Sequence, residues 1–515
     1  MTTTTSLVLG LGDSGLAMAR WLARGGGVVR VWDSRPEPPQ AASLAEHVAG
    51  AARLTGALDA SALAGVSRVL ASPGLSPHDE RIAPLLGDAR AAGIPVHGEL
   101  DLFVEALDGL RAAHGYAPKI VAITGTNGKT TTTAMTALLV EASGQRVSAA
   151  GNIGPSMLQA LRQALDAGPA DTVLERLPQV WVLELSSFQL AGSSTFEPDA
   201  ATVLNLTEDH LDWHGSFGAY GEAKARIFGT RATIIVNGDD SAVMALVPPP
   251  RNVAVRKGRP PKSITRPTVL FGARAPQRAG DFGLVVENGM TWLARARSDG
   301  DEAEAGVPPA AQLLMPADAL RVRGRHNALN ALAALALATA IGCPLAPMLH
   351  ALREYRGEAH RVEHVATVGA VDAFDDSKGT NVGATVAALD GLGSERAPAR
   401  LVVILGGDGK GQSFVPLVAP LARHARAVLT LGRDAERIEA AIGEAMAGAG
   451  VPVERCASLE GAVAAAFAQA QSGDAVLLSP ACASLDMFRN YQHRAEVFVA
   501  AVQAHADEQL SGAAA

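Results

Sequence analysis

Short apolar runs separated by glycine-rich turns and amphipathic stretches recur along the chain. The first run, Leu7–Leu9, is followed by the turn Gly10–Gly15, a helical stretch Leu16–Ala23 and a second run, Val28–Trp32, which ends at Asp33. Strand, glycine-rich turn, helix, strand and acid, in that order, are typical of a nucleotide-binding βαβ unit.

A second unit begins with the apolar run Lys119–Thr124, a glycine-bounded turn and a helix that continues to about Glu141. The runs Val180–Leu185 and Ala201–Leu206 are almost continuously apolar, as expected of buried parallel strands. The same pattern predicts further strands at Val69–Ser72, Pro95–His97, Val371–Asp375, Leu401–Leu405, Ala427–Leu431 and Ala475–Leu478. These runs predict an α/β protein with domains at 1–117, 118–357 and 358–515, the first two joined by a linker at Ala113–Pro118.

The periodic pattern breaks down between Pro248 and Pro316, where prolines and charges surround one possible hairpin near Leu284–Leu293. We interpret this segment as a surface excursion with mobile tips. Order returns with a long alanine-rich helix, Asn327–Ile341.

The composition narrows the class of protein. The 515 residues are 48% hydrophobic and 19% charged, which suits a folded chain with a large core. The net charge of −8 without a long basic block disfavours nucleic acid or an anionic membrane as the main partner. Three widely spaced cysteines exclude a disulfide framework. No apolar run is long enough to span a bilayer, so we expect a soluble cytoplasmic protein without membrane insertion.

The strongest chemical motif is Thr124–Thr131, TGTNGKTT, which follows an apolar strand. Glycines let backbone N–H groups approach phosphate oxygens, Lys129 can reach the β/γ-phosphates, and the Thr130 hydroxyl can ligate Mg²⁺. Ile123 occupies the place of the usual first glycine. The alternative is an ordinary strand–turn–helix with a surface lysine, but the motif favours ATP binding.

The N-terminal glycine motif is less specific, because a tight turn without a ligand has the same pattern. If this turn binds a nucleotide, Asp33 is placed for a ribose or uracil hydroxyl and Arg35 for a phosphate.

Three more candidates follow the central strands. Glu184 and His210 are expected at the carboxyl edge of a parallel sheet, Glu184 as a Mg²⁺ ligand and His210 as a second-metal ligand or proton carrier. The alternative for His210 is a structural role. Lys224 lies between an acid and an arginine in a helical stretch, and this pattern favours a solvated helix face.

Asn327 and Asn330 are three residues apart, so both lie on one helix face and can bond a planar group such as adenine. The alternative is helix capping by Asn327. In the third domain, three loops that follow strands are rich in Lys, Ser and Thr and are suited to a small carboxylate-bearing molecule. Cys482 lacks a partner histidine in these loops and is expected to be a buried small side chain.

Taken together, these motifs resemble the Mur ligase family. The segments that carry the resemblance are TGTNGKTTT, GNIG, ELSSFQL, LTEDHLDWHG, GRHNALNALAA, DDSKGTN, LGGDGKG and LSPACASLDMFRN, and they extend to Tyr491. The last three are most similar to the D-glutamate-adding members. The resemblance implies Rossmann-like N- and C-terminal domains around a P-loop ATPase domain. It also implies ATP-dependent addition of D-glutamate to UDP-N-acetylmuramoyl-L-alanine through an acyl phosphate, in bacterial peptidoglycan synthesis, and a monomeric enzyme.

The resemblance also implies site residues, with Lys129, His210 and Lys224 as the catalytic ones. It implies carbamylation of Lys224 by CO₂, which reverses the interpretation of that residue given above. The implied ATP-binding residues are Gly125, Thr126, Asn127, Gly128, Lys129, Thr130, Thr131, Asn327, Asn330, Arg361 and Asp376. The implied Mg²⁺ ligands are Thr130, Glu184, His210 and Lys224. The implied contacts to the UDP substrate are Ser14, Asp33, Ser34, Arg35, Gly74 and Asn152. The implied contacts to D-glutamate are Lys378, Thr380, Lys410, Ser484 and Tyr491, the last replacing a frequent phenylalanine.

Three alternatives stay open at this level. The chain can be another amino-acid ligase of the folylpolyglutamate synthetase type, a nicotinamide-dependent dehydrogenase with a regulatory ATPase domain, or a non-catalytic ATP-binding switch.

Overall fold

The structure is a computed structural model that describes residues 4–169, 172–253, 262–297, 309–322 and 324–513. Its strands form three large sheets in chain order, of five, nine and six strands. None of the helices in these ranges combines the length and hydropathy that a membrane span requires. The α/β class with three sheet-centred units is confirmed.

The first sheet is parallel, with strand order β3-β2-β1-β4-β5. Its strands are β1 Thr5–Leu9, β2 Val28–Trp32, β3 Ala52–Leu54, β4 Val66–Ala71 and β5 Val96–His97. Its helices are α1 Asp13–Arg24, α2 Ala41–His47, α3 Ala83–Ala91 and α4 Glu99–His114, with a 3₁₀ turn at Ala60–Leu63. The chain runs to opposite sides of β1 through β2 and β4, so the carboxyl end of β1 lies at a topological switch point.

The nine-stranded central sheet has the order β16-β15-β14-β13-β10-β9-β6-β8-β7. Its strands are β6 Lys119–Thr124, β7 Val147–Gly151, β8 Val180–Glu184, β9 Ala200–Val203, β10 Thr233–Asn237, β13 Thr268–Phe271, β14 Phe282–Glu287, β15 Met290–Arg297 and β16 Ala310–Pro316. The short strands β11 Arg251–Val253 and β12 Lys262–Ile264 pair separately. The helices are α5 Lys129–Ala142, α6 Met157–Asp166, α7 Val173–Arg176, α8 Ser187–Gly192, α9 Leu211–His214, α10 Phe217–Ala225, α11 Ser241–Ala245, α12 Arg325–Ala340 and α13 Leu345–Glu354, with 3₁₀ turns at Arg226–Phe228 and Ala317–Ala319.

The segment from Pro248 to Pro316 corrects one expectation. The hairpin near Leu284–Leu293 is present as β14 and β15, which pair antiparallel. It is not a peripheral excursion, because β13–β16 extend the central sheet and Leu293 and Met315 are fully buried in the core beside α12. The expected mobile tips, including the charged run from 298, fall largely outside the described residues.

The third sheet has the order β17-β18-β22-β19-β20-β21 and is parallel except for the β17–β18 pair. Its strands are β17 Glu363–Val368, β18 Val371–Asp375, β19 Leu401–Gly406, β20 Ala425–Leu431, β21 Val453–Arg455 and β22 Ala475–Leu478. Its helices are α14 Val382–Arg396, α15 Val418–His424, α16 Ala435–Ala449, α17 Leu459–Gln469 and α18 Tyr491–Ala513, with a 3₁₀ turn at Val415–Leu417.

The expected linker at Ala113–Pro118 is partly helical, since α4 continues to His114. Tyr116 within it is buried and its hydroxyl donates to the carbonyl of Pro178 at 2.6 Å. The segment therefore anchors the first domain on the second. The exact domain boundaries stay predictions.

Candidate active site

The P-loop connects β6 to α5 and depends on glycine at one position in particular. Gly128 has φ +79°, and a Cβ there would lie 2.6 Å from Oδ1 of Asn330 on α12. Only glycine meets both the left-handed backbone and this close approach. Asn127 beside it is held by Asn205, whose side chain accepts from the Asn127 N–H (2.8 Å) and donates to its carbonyl (3.0 Å).

Lys129 begins α5 and folds back over the loop. Its Nζ donates to the carbonyls of Gly125 (2.8 Å) and Thr126 (2.7 Å). Burial lowers the pKa of Lys129; the carboxylates of Glu184 and Asp209 oppose this shift, and the cations of Arg361 and Lys378 reinforce it. The ammonium is thus fixed where the loop would bend around phosphates.

Three oxygen-bearing side chains meet at the end of the P-loop. The Thr130 hydroxyl donates to Glu184 Oε2 at 2.8 Å, and Asn152 Nδ2 donates to Glu184 Oε1 at 2.9 Å. Glu184 ends β8 and is 2% exposed. A buried carboxylate next to a hydroxyl is a donor set that fits Mg²⁺.

Lys224 is buried, and the prediction of a solvated helix face is wrong. The residue is 2% exposed, and its Nζ donates to the carbonyl of Gly125 at 2.9 Å, the same oxygen that Lys129 contacts. The ammonium also lies 4.6 Å from the ring centroid of Tyr220. Burial, reinforced by the charge of Lys129, lowers the pKa of Lys224 well below its ordinary value.

His210 precedes α9 with φ +54°, an uncommon conformation for a residue other than glycine. Its ring packs edge-on against Phe188 at 4.7 Å, and its Nε2 lies 3.5 Å from Asp209 Oδ2. Burial lowers the pKa of His210, the Asp209 carboxylate opposes this shift, and nearby lysines, including Lys129, reinforce it.

Asn327 and Asn330 bond to each other through Nδ2 of Asn330 and Oδ1 of Asn327 (3.2 Å). The capping alternative for Asn327 is wrong, because α12 begins at Arg325 with Gly324 as its N-cap. The pair lies beside Gly128, so the structure brings it to the P-loop.

The third domain reaches the P-loop directly. Arg361 Nη2 donates to the Thr130 hydroxyl at 2.8 Å, and Asn381 Nδ2 donates to Asn127 Oδ1 at 3.0 Å. Asp376 is buried and accepts from the Ser479 hydroxyl at 2.6 Å. Burial raises the pKa of Asp376 to about 7.

The residues expected around D-glutamate fall into two groups. Lys378 Nζ lies 4.0 Å over the ring of Tyr491, and the backbone of Thr380 donates to Lys378 O (2.9 Å). Lys410 and Ser484 lie on two other loops, which an isolated bridge between Asp408 and Ala483 joins. Within the described residues, no direct bond joins the two groups. Cys482 is fully buried, as expected, and burial raises its pKa to about 12.

Five of the six residues expected to contact the UDP substrate lie around the switch point of the first sheet, whereas the sixth, Asn152, lies beside Glu184 in the central domain. The backbone N–H of Leu11 and the side chain of Arg35 both donate to Asp33, and together they hold its pKa at about 2. Arg35 is thus paired with Asp33. The Ser72 hydroxyl donates to the Gly10 carbonyl at 3.1 Å, which brings the exposed turn containing Gly74 to the glycine-rich turn. Ser34 is exposed, whereas Ser14 bonds to the buried Glu99.

Sequence reasoning did not assign three residues that the structure brings to the site. These are Asp209 beside His210, Asn205 behind the P-loop and Asn381 in the third domain. The available signal was their position: Asp209 lies in the segment LTEDHLDWHG, Asn381 lies in DDSKGTN, and Asn205 lies two residues after the end of β9.

Known families match all three units of the chain. Residues 4–98 match the Mur ligase MurD-like N-terminal domain, residues 123–262 the Mur ligase middle domain, and residues 360–482 the Mur ligase glutamate ligase domain. The chain belongs to the Mur ligase family. This assignment disfavours the dehydrogenase and the ATP-binding switch.

Curated relatives of this Mur ligase cover almost its full length. Proteins called UDP-N-acetylmuramoylalanine–D-glutamate ligase from Burkholderia mallei (strain SAVP1) and Burkholderia thailandensis are each 55% identical to it over 96% of both chains.

Solved structures are similar in fold at low sequence identity. The MurF ligase of Thermotoga maritima in complex with ADP has a TM-score of 0.55 at 16% identity, covering 86% of this chain and 90% of its own. The folylpolyglutamate synthase of Mycobacterium tuberculosis, complexed with ADP and AMPPCP, has a TM-score of 0.52 at 17% identity, covering 77% of this chain and 95% of its own.

Proposed function

We propose that this Mur ligase joins D-glutamate to the L-alanine carboxylate of UDP-N-acetylmuramoyl-L-alanine and converts ATP to ADP and phosphate. The observation that carries the proposal is the 55% identity, over 96% of both chains, to relatives named for this activity. The P-loop and the third-domain loops that contact it supply the matching geometry.

The reaction needs activation because a carboxylate is a poor electrophile. Transfer of the γ-phosphoryl group to a carboxylate oxygen gives an acyl phosphate and ADP. The neutral amine of D-glutamate then attacks the carbonyl carbon, and the tetrahedral intermediate expels phosphate as the amine gives up a proton. Lys129, fixed over the loop, offsets the charge on the transferred phosphoryl group.

Thr130 and Glu184 are the residues we expect to hold one Mg²⁺, since a hydroxyl and a buried carboxylate meet there at 2.8 Å. His210 and Lys224 are expected to hold a second cation, with Lys224 carbamylated so that it offers carboxylate oxygens. Bound Mg²⁺ neutralises phosphate charge and orients the phosphoryl group for transfer.

The remaining candidates divide between the substrates. Arg361 and Asp376 contact ATP from the third domain, and Asn327 and Asn330 contact its adenine ring. The residues that we propose bind D-glutamate are Lys378, Thr380, Lys410, Ser484 and Tyr491. The muramoyl end of the other substrate contacts Asn152, and its UDP end contacts Ser14, Asp33, Ser34, Arg35 and Gly74. The reaction belongs to peptidoglycan precursor synthesis in the bacterial cytoplasm, and we expect the enzyme to act as a monomer.

The deciding experiment measures phosphate release from ATP and Mg²⁺ with UDP-N-acetylmuramoyl-L-alanine plus D-glutamate, L-glutamate or neither. We expect release with D-glutamate alone. Release with neither isomer, from folded protein that still binds ATP, contradicts the proposed substrates.

Two lysine variants test the P-loop assignment. Lys129→Ala should reduce the D-glutamate-dependent rate at least about 100-fold, because it removes a preorganised cation from the phosphoryl site. The matched control is Lys119→Ala on β6, whose half-exposed side chain pairs with Asp199 at the sheet end and should leave the rate unchanged. An equal loss in both variants would refute a specific role for Lys129.

A further inference from the structure

A buried carboxylate outside the expected site joins the first domain to the central domain. Glu99 is the first residue of α4 and is 2% exposed. Its Oε2 accepts from the Ser14 hydroxyl at 2.6 Å, and its Oε1 accepts from the backbone N–H of Leu158 at 3.0 Å. Each oxygen of one carboxylate therefore bonds to a different domain.

Three helices begin around this carboxylate. Ser14 lies in the first turn of α1, Glu99 begins α4, and Leu158 lies in the first turn of α6. Helix N-termini carry unsatisfied N–H groups and a partial positive charge, which stabilise a nearby anion. This arrangement offsets part of the burial that raises the pKa of Glu99. The carboxyl group therefore lies where helices of two domains converge.

The two groups that bond to Glu99 lie beside segments that are expected to bind opposite ends of the substrate. Ser14 lies in the glycine-rich turn that closes on Asp33. On the other side, the N–H of Gly151 bonds to the carbonyl of Pro155 at 3.1 Å and makes a tight turn directly before α6. Within that turn Asn152 contacts Glu184.

We propose that Glu99 is a positioning residue that fixes the distance between the UDP end and the reacting carboxylate end of the substrate site. The proposal rests on the proposed function, because it needs a substrate that spans both domains. Glu99 is not among the residues expected to touch the substrate, and it acts through its bonds to Ser14 and to Leu158 at the start of α6.

The same helix turn offers a matched control. Asp101 is also buried and also bonds to the central domain, accepting from the Ser193 hydroxyl at 2.8 Å. Ser193 follows α8 and lies outside the glycine-rich turn and the Gly151–Pro155 turn. Loss of Asp101 should weaken the domain seam and the N-terminal cap of α4, where Asp101 accepts from the Gly98 N–H at 3.1 Å, while both bonds of Glu99 remain.

The experiment compares the KM of three substrates in Glu99→Ala, Glu99→Gln and Asp101→Ala. Glu99→Ala should raise the KM for UDP-N-acetylmuramoyl-L-alanine about tenfold, a loss of the size expected when two hydrogen bonds are removed. The KM values for ATP and D-glutamate should change less than about twofold. Glu99→Gln should restore most of the affinity, because an amide can accept from Leu158 and donate to Ser14. Asp101→Ala should lower the melting temperature with the KM for the UDP substrate unchanged.

An equal rise of this KM in Asp101→Ala, or an unchanged KM in Glu99→Ala, overturns the proposal. If Glu99→Ala does not fold, Glu99→Leu fills the same volume without the two bonds and carries the same expectation. Wild-type protein that releases no phosphate with D-glutamate contradicts the proposed function instead. In that case the thermal shift produced by UDP-N-acetylmuramoyl-L-alanine still tests Glu99, and Glu99→Ala should lose it selectively.

Discussion

Two lysine side chains share one carbonyl oxygen at the centre of the candidate site. Lys129 and Lys224 both donate to Gly125 O, at 2.8 Å and 2.9 Å. Two adjacent ammonium groups repel each other, so the more deeply buried one gives up its proton more readily. Lys224 is that residue, since its pKa lies well below the ordinary value. A neutral buried amine is the form that reacts with CO₂.

Carbamylation of Lys224 is therefore the first prediction at this scale. The neutral amine adds CO₂ to form a carbamate and releases one proton to solvent. Protein equilibrated with ¹³C-bicarbonate should show one carbamate carbon signal by NMR, and Lys224→Gln should lack it. Persistence of the same signal in Lys224→Gln would contradict the assignment, and Lys119→Gln serves as the control lysine.

Asp376 makes stability depend on pH. Its folded pKa of about 7 lies above the unfolded value of 3.8 because the carboxyl group is buried. Between pH 3.8 and about 7, the folded state binds more protons at Asp376 than the unfolded state does. Protonated Asp376 therefore contributes fully to the free energy of unfolding below pH 3.8, and this contribution is lost as the pH rises through about 7. Relative to Asp376→Asn, the melting temperature of ligand-free wild type should fall between pH 4 and pH 7. Parallel pH profiles of the two proteins would contradict this expectation.

At the scale of elements, the main departure from the sequence pattern is the antiparallel extension β14–β16. Apolar and polar residues alternate only weakly along these strands, and the residues around them are rich in proline and charge. The structure pairs them along their length and turns Leu293 and Met315 into the core. The extension is thus part of the fold of the central domain.

Truncation of one side chain on each face of β15 tests whether the extension shares the core of the central domain. Leu293→Ala should reduce the free energy of unfolding by about 2–5 kcal/mol, because it leaves a cavity in the core. Met290→Ala, at a position that is 45% exposed, should change it by less than about 0.5 kcal/mol. Equal and small effects in urea denaturation would show that the extension does not share the core.

At the scale of the whole molecule, the third domain docks on the P-loop through side chains. Asn381 caps α14 by accepting from the Ala384 N–H at 2.9 Å, which directs its NH₂ group to Asn127. Gly383 allows this approach, since a Cβ there would lie 2.9 Å from Asn127 Nδ2. This contact therefore joins the ATP loop to the loop expected to bind D-glutamate.

We expect nucleotide and the UDP substrate to compact the enzyme in solution. Small-angle scattering should show a smaller radius of gyration when both are bound, and an unchanged radius would contradict domain closure.

Asn381→Ser keeps a good helix cap but is too short to reach Asn127. It should lower kcat/KM for D-glutamate about threefold to tenfold, the value of one hydrogen bond. Exchange of the exposed cap Ser458→Asn on α17 is the control and should have no effect.

The sequence by itself determined the features that depend on neighbouring residues. The limits of β2, β6, β18 and β22 agree with the apolar runs, since a strand buried on both faces needs consecutive apolar residues. The P-loop is predictable for the same reason, because strand, turn and helix are contiguous. The family motifs extended this reading to the third domain.

Only the tertiary structure decided how separate elements meet. The residues around Lys224 predict a polar face, yet its ammonium is buried against Thr124 at the end of β6 and Gly125 of the P-loop, because burial depends on elements distant in sequence. The bond between Arg361 and Thr130 spans 231 residues, and the bond between Glu99 and Leu158 spans 59. Such contacts leave no local periodicity in the chain. Hydrophobic spacing therefore fixes strands and helices, whereas the charges, hydrogen bonds and buried ionisable groups of the site depend on how the three domains pack.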